Sequence, residues 1–205
     1  MSKFLLLTVF LFFPEFQSYK NIKDYFKAFP FKEDFVSLKE GEHNHPNIDE
    51  KNKYISIKYE DADYSYKYGG EIQFTYFIKG NGKRLFAYSS FSEGPSSYVT
   101  EADFYTFEKN KWNKVTDRVI PQLNLQLFGL ADSLAERIGD RYHIRFELPQ
   151  KGTFIKLSVY PVGENDNPFS SSVDGYTEYT ELIKSLKPVT LKWNKEKGTF
   201  SVRSN

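Results

Sequence analysis

Residues Gly70–Thr116, GEIQFTYFIKGNGKRLFAYSSFSEGPSSYVTEADFYTFEKNKWNKVT, decide the fold class. Ile72, Phe74 and Tyr76 alternate with Glu71, Gln73 and Thr75, the period of two that marks a half-buried strand. Gly80-Asn81-Gly82 supplies residues that accept positive φ, as a tight hairpin connection requires. A second strand follows over Arg84–Phe91. Ser92–Thr100 is polar and interrupted by Gly94-Pro95, so it reads as a long loop. Lys109-Asn110-Lys111 then marks another hairpin, between Ala102–Glu108 and Trp112–Thr116. Strands joined by tight turns pair antiparallel.

Outward from this stretch the same patterns continue. On the N-terminal side, Tyr54–Glu60 sets Ile55 and Ile57 against Ser56 and Lys58, another half-buried strand. Lys39–Lys53 reads as a polar loop by composition, and Asp61–Tyr68 as a tyrosine-rich turn. Tyr19–Phe29 places Ile22, Tyr25, Phe26 and Phe29 at helical spacing before Pro30. A basic aromatic helix of this kind can lie on a membrane, but it more commonly covers the open face of a sheet. On the C-terminal side, Leu123, Leu125 and Leu127 alternate, as in an edge strand or extended connection. Leu130–Ile138 is a compact helix with Gly139 as its cap. Tyr142, Ile144, Phe146 and Leu148 share one face of a strand, and His143, Arg145 and Glu147 form a polar, solvent-facing side. Pro149–Gly152 turns the chain back through Ile155, Leu157 and Val159. Tyr176–Leu186 reads as a helix, and Val189–Trp193 with Thr199–Val202 as a last hairpin. Trp-Asn-Lys occurs beside two hairpin turns, at Trp112–Lys114 and Trp193–Lys195, on opposite sides of the turn, which is not a repeat.

The expected fold is therefore α+β over residues 19–205, taken as one domain. It is an antiparallel, hairpin-rich sheet of roughly seven to nine strands with an N-terminal helix and two short helices packed on it. A chain of 205 residues, 40% hydrophobic and 27% charged, can bury a core without staples. It has no Cys, which removes disulfides, thiol catalysis, Cys zinc sites and iron–sulfur clusters. The net charge of +1, with bases and acids mixed along the chain, argues against a nucleic-acid module.

Phe4–Phe13, FLLLTVFLFF, follows Met-Ser-Lys and has the length of a signal-peptide hydrophobic region, too short to span a bilayer. Ser18 suits the residue before a signal-peptidase cut, whereas Phe16 does not suit the third position. Residues 1–18 are accordingly read as a signal peptide, and the remainder as an exported, secreted or periplasmic protein. No other segment approaches a transmembrane run.

His43-Asn44-His45 places two imidazoles on one side of an extended segment, so His43 and His45 are the candidate metal ligands. Asp61–Ser65 opens like a calcium loop, but Tyr66 stands where Gly is needed and Ile72 where Glu is needed. No nucleophile elbow, phosphate loop, zincin helix or dinucleotide fingerprint occurs, and no cofactor is implied. Tyr88, Tyr98 and Tyr105, around the Phe91–Thr100 loop, are the candidate ligand-binding residues, since tyrosine offers a flat apolar face and a polar tip. The sequence thus favours a non-catalytic binding or structural protein. Its rivals are a carbohydrate- or peptide-binding module on the aromatic loop and a hydrolase with a dispersed carboxylate pair.

Overall fold

In the computed structural model, which describes residues 19–30, 44–61, 68–94, 98–163, 169 and 173–203, ten strands form two antiparallel sheets. The first sheet is a meander of β1 (Asn44–Asp49), β2 (Tyr54–Asp61), β3 (Tyr68–Ile78), β4 (Arg84–Glu93), β5 (Tyr98–Glu108) and β6 (Lys111–Lys114). The second contains β7 (Tyr142–Glu147), β8 (Phe154–Pro161), β9 (Val189–Asn194) and β10 (Thr199–Val202), in the order β10-β9-β8-β7. The helices are α1 (Ile22–Ala28), α2 (Thr116–Val119), α3 (Asp132–Ile138) and α4 (Val173–Ser185), with a 3-10 turn at Leu125–Phe128. Hairpin pairing is thus as expected, but the single sheet is not. Alternation identifies a strand's faces without telling which strands share a sheet, and the helical stretch after β6 separates the two here.

One face of the first sheet carries Ile55, Ile57, Ile72, Phe74, Phe86 and Tyr88, buried with Ile22, Tyr25, Phe26 and Phe29 of the α1 segment. The helix starts at a capping box: Asn21 accepts from the Asp24 amide, and Asp24 accepts from the Asn21 amide. Trp112 Nε1 donates to the Ala28 carbonyl at 2.7 Å, and its ring meets Phe29 edge-on at 4.9 Å, tying β6 to the helix end. The opposite face packs on the second sheet. Phe77, Leu85, Ala87 and Phe104 share a core with Leu157, Leu191, Trp193 and Phe200. Cover on both faces explains why Ser56, Gln73, Thr75 and Ser89, polar by sequence and expected outside, are buried.

A third cluster joins α3, α4 and the 3-10 turn to the end of the β7–β8 pair. Tyr179 is at its centre, fully buried; its hydroxyl donates to the Arg141 carbonyl and accepts from the Val162 amide at 3.1 Å. Burial pushes that phenol up to about 12.

Several local expectations change. Residues 44–49, read as loop, form edge strand β1, where Pro46 is tolerated because an edge leaves one side unpaired. The long loop over Phe91–Thr100 is mostly strand, since Phe91 pairs with Thr100 and Glu93 with Tyr98. Leu123–Leu127 is not extended throughout. Asn124 caps a 3-10 turn by accepting from the Leu127 amide, and Leu125 and Phe128 are its buried residues. On the polar side of β7, Glu147 keeps an exposed cross-strand pair with Lys156, whereas Arg145 turns onto the first sheet, as described next. The calcium-like loop after Asp61 and the proposed signal peptide lie outside the described residues.

Candidate functional site: a groove at the β3–β4–β7 junction

The three candidate tyrosines do not share a surface. Tyr88 is 4% exposed beneath α1. Tyr105 is on the same face, edge-on to Phe29 at 5.0 Å, with its hydroxyl donating to Asp103 Oδ2 at 3.3 Å. Burial, then the Asp103 carboxylate, push the Tyr105 phenol up to about 12. Asp103 itself is buried, held by the Lys114 ammonium and the Thr116 hydroxyl at 2.6 and 3.0 Å. This network anchors the sheet edge. Tyr98 is on the opposite face, at the other end of β5. His45 is exposed on β1, opposite Lys58, while His43 lies outside the described residues. Among the described residues no three His, Cys, Asp or Glu side chains gather closely enough to hold a metal ion.

The concave feature near Tyr98 is built by the second sheet's edge strand. β7 has one unpaired edge, which would cost free energy if buried without partners. The first sheet supplies them: Ser89 Oγ donates to the Phe146 carbonyl at 2.7 Å, and Gln73 Oε1 accepts from the Leu148 amide at 2.7 Å. β7 therefore stands edge-on over the first sheet, closest to β4 and β5, with Ile144 and Phe146 on the shared core and Arg145 over the end that carries Glu71 and Phe91. Arg145 reaches Glu71 Oε2 at 3.2 Å, and its guanidinium lies 4.1 Å from the Phe91 ring centroid. Phe91 also contacts Tyr98 and Tyr160, with centroids 6.1 and 5.0 Å away.

These residues frame a groove of about 340 Å³ lined by Lys58, Gly69, Gly70, Glu71, Phe91, Glu93 and Arg145. The two glycines form its floor. A Cβ on Gly70 would collide with the Tyr59 ring and come within 2.6 Å of the Phe91 carbonyl oxygen, so the close approach of β2, β3 and β4 requires glycine there. A Cβ on Gly69 meets only the Tyr59 carbonyl oxygen, at 3.7 Å, and otherwise enters open space. Beside the groove, burial and then the Glu93 carboxylate raise the Tyr98 phenol. His143, next but one to Arg145, is held below its ordinary value by burial.

Chemically, the groove offers a guanidinium held in place by a buried ring and a carboxylate, one lysine and a second carboxylate. That set can exchange charge-assisted hydrogen bonds with the polar rim of a ligand. Sequence reading put Phe91 at the junction of a strand and a loop and Arg145 in solvent, and singled out neither. The signal it could have used is the Gly69-Gly70 pair inside a strand pattern, which marks close backbone approach.

No known protein family and no curated protein matches this chain significantly. Among solved structures, a domain of an uncharacterized protein from Porphyromonas gingivalis W83 is similar with a TM-score of 0.49 and 14% identity, over 80% of this chain and 81% of that one. Among the described residues no helix is long and apolar enough to cross a membrane.

Proposed function

We propose that the chain is an exported, non-catalytic binding protein that holds a polyhydroxylated, glycan-class ligand in the groove between β3, β4 and β7. The observation that carries this reading is the Arg145 guanidinium, fixed between the Phe91 ring and the Glu71 carboxylate at the wall of a glycine-floored groove. Sugars present a rim of hydroxyls, which the guanidinium, the ammonium and the carboxylates of this groove complement. The Glu71 carboxylate is engaged by Arg145, which suits holding a ligand better than protonating a leaving group. Export is supported by the length and composition of Phe4–Phe13.

Binding of the purified protein to a glycan array, compared with Gly69→Val, tests the groove. A Cβ at Gly69 meets nothing closer than 3.7 Å, so the reading expects thermal unfolding of the variant to match wild type and the substitution to abolish glycan binding. An array with no bound glycan, or binding indifferent to Gly69→Val, overturns it. Mass spectrometry of the native protein tests export separately, with Tyr19 expected as its first residue.

A further inference from the structure

Three hairpin tips, far apart in sequence, meet at one end of the molecule. The β3–β4 turn is central. Its Gly80 amide donates to the Lys195 carbonyl at 2.8 Å, and Gly198 faces the Lys79 stem, which brings in the β9–β10 turn. On its other side Lys83 Nζ is 2.9 Å from Glu108 Oε1, which brings in the β5–β6 turn. Lys79, Lys83 and Arg84 come from the first tip, Lys109 and Lys111 from the second, and Lys195 and Lys197 from the third. Within these three turns only Glu108 and Glu196 oppose them. Seven of the 28 basic residues and two of the 27 acidic ones are in them, so the three turns carry +5 while the rest of the chain sums to −4. The even mixing of charge along the sequence conceals this cluster of basic turns. The field registers on Glu108, whose carboxyl is held below the usual range by its bond to Lys83 and by the charges of Lys83, Lys79 and Lys109.

The form of this end selects the partner. Six of the seven cations are lysines, point charges on flexible stems that suit diffuse negative charge better than one bidentate phosphate contact. They project from three turns, and only Lys83, Arg84 and Lys109 line the hollow of about 420 Å³ at this end, where Glu108 sits among them. The apolar Ile78, 45% exposed, adjoins Lys79. Arg84 is fixed at the base of the patch by its 2.8 Å bond to the Tyr25 hydroxyl and by the Tyr25 and Tyr76 rings. Flexible lysines around an exposed aliphatic side chain are the composition of a surface that docks on a charged bilayer.

We propose that these three hairpin tips dock the protein on an anionic lipid surface, the lysines meeting the headgroups and Ile78 entering the boundary beneath them. This is independent of the groove.

Vesicle sedimentation of the full chain tests it. At about 0.1 M salt, where the Debye length is about 10 Å, the protein is expected to sediment with phosphatidylcholine vesicles containing about a third phosphatidylglycerol, and not with phosphatidylcholine alone. About 1 M salt releases it. Replacing Lys79, Lys111, Lys195 and Lys197 by Gln lowers the partition coefficient about fivefold per charge, more than a hundredfold together. Thermal unfolding of this variant matches wild type. A control variant, with Lys156, Lys184 and Lys187 changed to Gln, keeps most of the binding. Vesicle binding that survives the four-lysine variant belongs to another part of the chain, Phe4–Phe13 included, and overturns the proposal. Equal loss in the control, or capture by soluble heparin with no vesicle binding, overturns it too.

Discussion

Removing one oxygen atom, in Tyr179→Phe, isolates what pins α4 to the end of the β7–β8 pair. The ring stays, so no cavity opens and the multi-kilocalorie cost of truncating a buried aromatic to alanine does not apply. Two hydrogen bonds go, to the Arg141 carbonyl and from the Val162 amide. Their costs differ. Arg141 is an exposed residue whose carbonyl can take a water instead, whereas Val162 is 9% exposed and its amide is left without a partner. A buried unsatisfied amide costs about 1–3 kcal/mol, so the expected loss is about 2 kcal/mol. Urea unfolding with an unchanged m value is the assay. Tyr176→Phe is the internal comparison: Tyr176 is partly exposed and its hydroxyl donates to the Val162 carbonyl over a long 3.4 Å, so its loss is expected to stay below about 1 kcal/mol. Equal stability of the two variants would refute the assignment of Tyr179 as the pin.

Three further outcomes follow from the geometry. Gly70→Ala forces the Tyr59 ring and the Phe91 backbone apart and is expected to destabilise the protein by about 1–3 kcal/mol in thermal unfolding, while Gly69→Ala stays within about 0.5 kcal/mol. Trp112→Phe loses the bond to the Ala28 carbonyl, about 1 kcal/mol, and hydrogen exchange should quicken in the α1 amides before those of β3 and β4. The Asp49 carboxyl, held down to about 2 by the Asn52 side chain, the Asn52 amide and the Gln150 side chain, should titrate near that value by NMR. Because its folded value is the lower one, Asp49 stabilises fully above the unfolded value near 3.9. That contribution is lost as pH falls towards about 2, and Asn52→Ala moves the NMR midpoint upward.

The parts of this fold that could be read from sequence are those set by local chemistry. The β7–β8 hairpin announces itself because Ile144, Phe146, Leu157 and Val159 alternate on one face and Pro149–Gly152 turns between them. The end of α3 is marked by Gly139, whose φ of 58° suits glycine. The rest depends on contacts between distant segments. β1 is polar and contains Pro46, which only its position at the sheet edge makes compatible with a strand. Gln73 and Ser89 look like solvent residues because their burial is caused by the β7 backbone, more than fifty residues away. Leu123, Leu125 and Leu127 imitate a strand because a capped 3-10 turn buries Leu125 and leaves Leu127 exposed. The groove was hidden for the same reason: Arg145 and Phe91 meet only once the two sheets pack. Tyr88 and Tyr105, by contrast, carry the aromatic signature of a binding surface and are used in packing α1.

The most direct measurement is an amide NMR titration of the protein with the best-binding oligosaccharide from the array. The account predicts saturable shifts concentrated at Gly69, Gly70, Glu71, Glu93 and Arg145, and none at those amides in Gly69→Val. Shifts centred on any other surface, with these five amides unmoved, would contradict it.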